Sequence, residues 1–135
     1  MTDSSISATS NAAVVTLTTT TESVVVLTDI LSSVSDAGEG KLVNATVALT
    51  PGTAATAATL RVRRGSGITG TIVQTVVRPV TAAVADAVSI LALDNPAAPS
   101  SQYAVTLQMT AATANTTVAA GAAVASAADV TPLSP

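Results

Sequence analysis

The sequence predicts an all-β chain, a single β-sandwich or jelly roll of about eight strands, and three observations predict it. Short runs with apolar residues at every second position recur along the chain, turn residues interrupt them about every ten residues, and no stretch carries the 3.6-residue repeat of an amphipathic helix. The length, 135 residues, suits one domain with a real core. Three parts are expected: a flexible or docking arm over residues 1–12, the sandwich over 13–130, and an exposed tail over 131–135.

The clearest alternation lies at 102–111, where Tyr103, Val105, Leu107 and Met109 share one face and Ala104, Thr106, Gln108 and Thr110 the other. A second apolar run, 86–93, precedes it across a turn-rich connection containing Asp94, Asn95, Pro96 and Pro99, and the two runs read as a hairpin with a long loop. From the start of the chain, residues 13–18 form a short strand. Residues 24–28 are apolar on both faces, as in a strand covered on both sides. Residues 29–35 continue it after a bend, and 36–40, with two glycines, form a turn.

Residues 41–50 alternate again, with Val43, Ala45, Val47 and Leu49 on one face, and Pro51-Gly52 ends the run. Residues 59–64 place Leu60, Val62 and Arg64 opposite Thr59, Arg61 and Arg63, a turn follows over 65–70, and 71–77 is rich in β-branched residues. Residues 80–85 read as loop, edge strand or helical turn. The closing segments, 115–118 and 122–130, are alanine-rich and by propensity favour helix. Val118, Val124 and Val130, set among Thr and Ser, favour strand in this all-strand context.

Composition narrows the chemistry. Apolar residues make up 48% of the chain and argue against disorder, while charged residues make up 10% against about 25% in an average domain. Much of the surface must then be Thr, Ser, Ala and Val, which suits contact with other chains. With no Phe and no Trp, the core must be filled by Val, Leu, Ile and Ala, and a subunit so lean gains from oligomerisation. The absence of Cys and His removes disulfides, thiolate nucleophiles, imidazole bases and the usual zinc ligands. No catalytic residue, no metal ligand and no cofactor is expected. The first ten residues lack a basic region followed by an apolar core, so no secretory signal is read and assembly in a cytoplasm is expected. Residues 117–128 fall short of the roughly 20 apolar residues of a membrane span, and no membrane contact is expected.

The net charge of −3 is unevenly placed: residues 1–39 carry five acids and no base, 40–85 all five bases and no acid, and 86–135 three acids. Such blocks pair within one fold, pair between subunits or meet a partner surface.

Individual motifs are weak. Residues 65–70 match G-x-G-x-x-G, but a strand former follows where a dinucleotide site needs a helix N-terminus, so the motif reads as a hairpin loop. Arg61, Arg63 and Arg64, with Arg78 on the adjacent strand, form a basic cluster without the stacking aromatics of a nucleic-acid site; an acidic protein partner, salt bridges and plain solvation remain its readings. Asp86 and Asp94 flank one strand, and nothing sets them across a cleft as a glycosidase requires; turn-capping is their expected job. No small-molecule substrate is expected.

Taken together, a polar arm, the run Val-Val-Val-Leu, then Leu-Val-Asn-Ala-Thr-Val-Ala-Leu-Thr-Pro-Gly, Leu-Arg-Val-Arg-Arg-Gly and Tyr-Ala-Val-Thr-Leu-Gln before a Thr/Val/Ala-rich end resemble small virion proteins of tailed bacteriophages. The likeness is to β-sandwich capsid decoration (cement) proteins and related trimeric jelly-roll head-fibre domains, over about residues 13–130. It implies a non-enzymatic homotrimer on the capsid surface of the virion that binds the major capsid protein and reinforces the shell. The expected contacts are the arm, with Met1, Thr2, Asp3, Ser4, Ser5 and Ile6, aided by Arg61, Arg63 and Arg64. A tail or fibre component binding other tail proteins or a host surface is the alternative within that class. From another class comes a carbohydrate-binding β-sandwich module, which calls for exposed aromatics that a chain with one tyrosine lacks.

Overall fold

The computed structural model describes residues 7–28, 31–32, 40–94, 100–111 and 115–130. They form β1 (Ser7–Ser10), β2 (Val15–Leu17), β3 (Ser23–Leu27), β4 (Leu31–Ser32), β5 (Gly40–Leu49), β6 (Ala57–Arg64), β7 (Ile72–Pro79), β8 (Asp86–Asp94), β9 (Ser100–Ser101), β10 (Tyr103–Thr110), β11 (Thr116–Val118) and β12 (Ala123–Val130). Eight of these strands build two four-stranded antiparallel sheets, β1-β12-β5-β8 and β3-β10-β6-β7. Numbered first to eighth along the chain, these eight run 1-8-3-6 in one sheet and 2-7-4-5 in the other. That is the wrapping of a jelly roll, the fold the alternating runs predict. The short pairs β2 with β11 and β4 with β9 lie beside the two main sheets.

One pairing differs from expectation. The runs at 86–93 and 102–111 do not form a hairpin: β8 pairs with β5, whereas β10 lies between β3 and β6 in the opposite sheet. Both runs bury one face, and a period of two records that a face is buried without recording which sheet the strand joins. Elsewhere the alanine-rich end is a strand, β12, because its alternate alanines Ala123, Ala125 and Ala127 face the core. Of the arm expected over 1–12, Ser7–Ser10 is the edge strand β1, while residues 1–6 lie outside the described residues. So do the tail 131–135 and, apart from Gly40, the turn expected over 36–40. Residues 80–85 form a turn in which Ala83 N–H donates to Pro51 O at 3.1 Å.

The core shows how a sandwich fills without Phe or Trp. From β3-β10-β6-β7 come the larger side chains, Tyr103, Leu107, Met109 and Leu60, all buried. The facing sheet supplies Val43, Val47, Val88 and Ile90, with the three alanines of β12 between. Small residues opposite large ones let the layers interdigitate at the density interiors require. Thr9 Oγ1, donating to Leu27 O at 2.5 Å, ties β1 to β3 across the open side of the sandwich. At the far end Gly52 N–H donates to Thr116 Oγ1 at 2.9 Å and Thr50 pairs with Thr117, fixing the β2-β11 ribbon to the end of β5.

The β6-β7 loop is the hairpin loop its glycines foretold. Gly65 has φ 92°, in the left-handed region that favours glycine, and Arg64 N–H closes the loop on Thr71 O at 3.0 Å. A Cβ on Gly70 would sit 1.8 Å from Arg64 O, a backbone atom, whereas one on Gly67 would meet nothing within 4 Å. Gly70→Ala is therefore expected to destabilise the fold by about 2 kcal/mol or more. Gly67→Ala should change stability by less than about 0.5 kcal/mol. Urea unfolding midpoints of the two variants check this, and equal midpoints would show that the loop tolerates a Cβ at either place.

Candidate interaction surface

Two charged clusters organise the face and one end of the β3-β10-β6-β7 sheet, and each recruits arginines from β6. In an antiparallel strand alternate residues face opposite ways, so Arg61 and Arg63 point outward while Arg64, at the strand's end, follows Leu60 and Val62 toward the inner side.

On the outer face Glu22, just before β3, lies under both outward arginines. Arg63 binds it in a bidentate fork, Nε to Oε2 at 2.7 Å and Nη2 to Oε1 at 2.8 Å, and gives Nη1 to Gly70 O at 2.8 Å. Arg61 Nη1 stands 3.3 Å from Glu22 Oε1 and donates to Gln108 Oε1 at 2.7 Å. Thr106 Oγ1 donates to Glu22 as well, and Gln108 Nε2 donates to Thr20 O at 3.0 Å, so the segment leading into β3 is held down on the sheet. This covering explains why Thr106 and Ala104 are fully buried although they sit on the face away from the core. The Arg63 hydrogen bonds hold the Glu22 carboxyl below its ordinary range against the opposing effect of burial, and Thr106 adds to them.

At one end of the sandwich Asp94, the last residue of β8, crosses to the other sheet. It accepts from Arg64 Nε at 2.8 Å, from Arg64 Nη2, and from the Tyr103 hydroxyl at 2.6 Å. Asp94 is 4% exposed and Tyr103 wholly buried. Burial pushes the Asp94 carboxyl up, but the Arg64 and Tyr103 hydrogen bonds outweigh it and leave it below the usual range. The same contact raises Arg64. Asp94 is thus a structural tie between sheets, not the turn cap the sequence suggested, because a buried tyrosine hydroxyl needs a partner and the strand's end brings this one within reach. Asp86, at the other end of β8, accepts from Ala87 N–H at 2.8 Å and lies 3.4 Å from Arg78 Nη2. The two aspartates therefore occupy opposite ends of one strand.

Arg61, Arg63 and Arg64, expected as partner contacts, are all engaged in ion pairs within the chain, with Arg64 still half exposed. Met1, Thr2, Asp3, Ser4, Ser5 and Ile6 lie outside the described residues. Sequence reasoning did not single out Glu22; the available signal was Arg61 and Arg63 spaced to share a strand face, and nothing local named the acid they meet, 41 residues from Arg63. A groove of about 440 Å³ with Val14, Val15 and residues 24–27 in its walls runs between the β1-β2 connection and β3.

The outer face of the other sheet is different in kind. Its outward positions on β5, β8 and β12 include Leu42, Asn44, Thr46, Ser89, Leu91, Leu93 and Val124, and among the described side chains none there is charged. Leu91 and Leu93 are 59% and 55% exposed. Thr46 and Ser89 hydroxyls meet at 3.1 Å between them.

No family model matches the sequence, and no curated protein matches it. Among solved structures, a chain from the structure of infectious bursal disease virus, Gx strain, matches with a TM-score of 0.55 and 8% identity, over 94% of this chain and 37% of that one. The chain thus spans about a third of the length of that neighbour, and the likeness is one of fold.

Among the described residues, Glu22 and Asp94 are the carboxyls held below their ordinary range, and both contribute to the response to acid. A carboxyl whose folded pKa is depressed contributes stability in full above its unfolded pKa and loses it as pH falls through the folded one. Stability is expected to stay level from pH 7 to about 5 and to fall below about 4, where unfolded Asp and Glu take up protons. Asp94→Asn should cost about 2 kcal/mol at pH 7 and flatten the acid limb, as followed by urea midpoints across pH. An acid limb as steep in the variant as in the parent would show that Asp94 is not its source.

Proposed function

We propose that this chain is a structural, non-enzymatic virion protein that binds the outer surface of a tailed-phage capsid as a homotrimer and reinforces the shell. The observation that carries the reading is the jelly-roll strand order over nearly the whole chain, shared in fold with a chain from a virus structure. Jelly rolls also serve lectins and cupins, so fold does not choose among them. The surface does. Tyr103, the sole aromatic residue in the sequence, is buried, so no aromatic side chain is left for a sugar to stack on. The acids that a glycosidase would set across a cleft stand at opposite ends of β8. What the fold presents instead is a broad sheet face whose described outward side chains are uncharged, suited to protein contact, and the sequence adds the polar residues 1–6 before β1.

The capsid partner in this reading is the major capsid protein, and residues 1–6 form the docking arm. Because Arg61, Arg63 and Arg64 already satisfy acids within the chain, the arm carries more of the capsid contact than they do. The test is co-sedimentation with expanded capsids assembled without this chain, alongside a variant beginning at Ser7. That boundary removes the arm and spares β1, whose loss would open the sheet. Saturable binding by the full chain, weakened at least tenfold (about 1.4 kcal/mol) without the arm, is expected. No binding by a folded full chain would overturn the capsid assignment in favour of a tail or fibre component.

A further inference from the structure

The two sheets of the sandwich have the same strand number but opposite outer faces. On β3-β10-β6-β7 the outer face over β10 and β6 is held under Thr20 and Glu22 and carries the Glu22, Arg61 and Arg63 cluster, while Ile72 and Val77 of β7 stay exposed. On β1-β12-β5-β8 the described outward side chains are neutral, and Leu91 and Leu93 stand more than half exposed on β8, with Leu42 opposite Leu93 on β5 and Val124 two strands away on β12. A shallow depression of about 120 Å³ lies on the same face between β5 and β12, lined by Asn44, Thr46, Val124 and Ser126. Nothing among the described residues covers this face.

We infer that the outer face of β1-β12-β5-β8 is where a second copy of this chain docks, with Leu91 and Leu93 forming the apolar β8 side of the contact. Three arguments select a copy over another partner. The first is area: strands about 4.8 Å apart with residues rising about 3.3 Å give this face roughly 500 Å². Two protein surfaces of that size bury about 1,000 Å² together, the lower bound of a specific interface. The second is charge. The chain carries a net −3, so copies repel in general, and the neutral face is where two of them meet at the least electrostatic cost. A strongly charged partner would instead have to desolvate its charges against side chains that offer no counter-ion. The third is the lean core: a sandwich packed with Val, Leu and Ala gains apolar burial by association that it does not get from aromatics within. A twofold pair sets the face against itself, and a threefold ring sets it against a neighbouring surface of the next copy; the docking face is the same.

The inference rests on the self-association in the reading above and not on its capsid contact, so failed capsid binding leaves it standing. The test is sedimentation equilibrium of the full chain over a range of concentrations, with Leu91→Lys/Leu93→Lys, Ser89→Arg and Val77→Lys. Val77 is 63% exposed on β7 of the other sheet and serves as the control. The full chain is expected to associate. The double lysine variant and Ser89→Arg should weaken association at least about tenfold while keeping the far-UV circular dichroism of the parent, and Val77→Lys leaves association as it was. If the double variant is less stable, Ser89→Arg, an exposed polar position on the same face, still decides. A full chain monomeric at millimolar concentration, or Ser89→Arg associating as tightly as the parent, would overturn the inference.

Discussion

The carboxylate of Asp94 is the buried point at which the two sheets are held to each other by something more directional than apolar contact. It ends β8 in one sheet and takes donors from the other, Arg64 at the end of β6 and Tyr103 at the start of β10. A buried carboxylate without partners would cost several kcal/mol, so the site exists only if all three groups arrive together. Arg64 and Tyr103 are cross-strand neighbours in the β6-β10 ladder, and a shift of one residue in that ladder would move one of them to the outer face. The tie thereby specifies register in a core whose small aliphatic side chains would by themselves discriminate poorly between neighbouring alignments.

Much of the fold was legible because alternation reports burial directly. Val43, Ala45, Val47 and Leu49 were placed on one face by spacing alone, and all four are buried. Even β12 could be read, because valines among Thr and Ser outweighed the helical preference of its alanines once every other segment was a strand. The partner of each strand was not legible. β8 and β10 are near in sequence and equally amphipathic, yet this jelly roll sends them to opposite sheets while keeping β6 and β7 in one, a long-range choice that local pattern does not encode. The charged clusters were half legible. Block arithmetic showed acids and bases segregated along the chain and left pairing within the fold among the possible outcomes. That Glu22 meets Arg63, and Asp94 meets Arg64, depends on strands 41 and 30 residues apart being brought together.

The same pairing determines what the surface can offer. With so few charges in the chain, Arg61, Arg63, Arg64 and Arg78 each spent on an internal acid leave little for long-range attraction to a partner. Contacts with other proteins must then be made largely by shape, apolar area and hydroxyl groups. Such contacts are weak per unit area and tolerant of salt, and they gain strength when many copies act together on one lattice.

How copies come together also depends on which parts of the sandwich are closed to association. An open sheet edge invites strand addition that has no natural end, whereas a face can be filled once. The edges here are poor templates. β1 has four residues, β3 meets β10 with a register break at Val105/Thr106, and β7 carries a bulge and ends in Arg78 and Pro79. β8, the remaining edge, lies alongside β7 of the opposite sheet and is shielded by it. Proline and a charged arginine at an edge both oppose further pairing, and a bulge twists the edge away from a flat partner. With edges blunted and the other outer face partly covered by its own chain and carrying the charged cluster, the neutral face of β1-β12-β5-β8 is the broader route left to association. Contact of such a face with itself closes at a pair, and contact with another surface closes where the rotation forms a ring, which separates a finite assembly from a fibre.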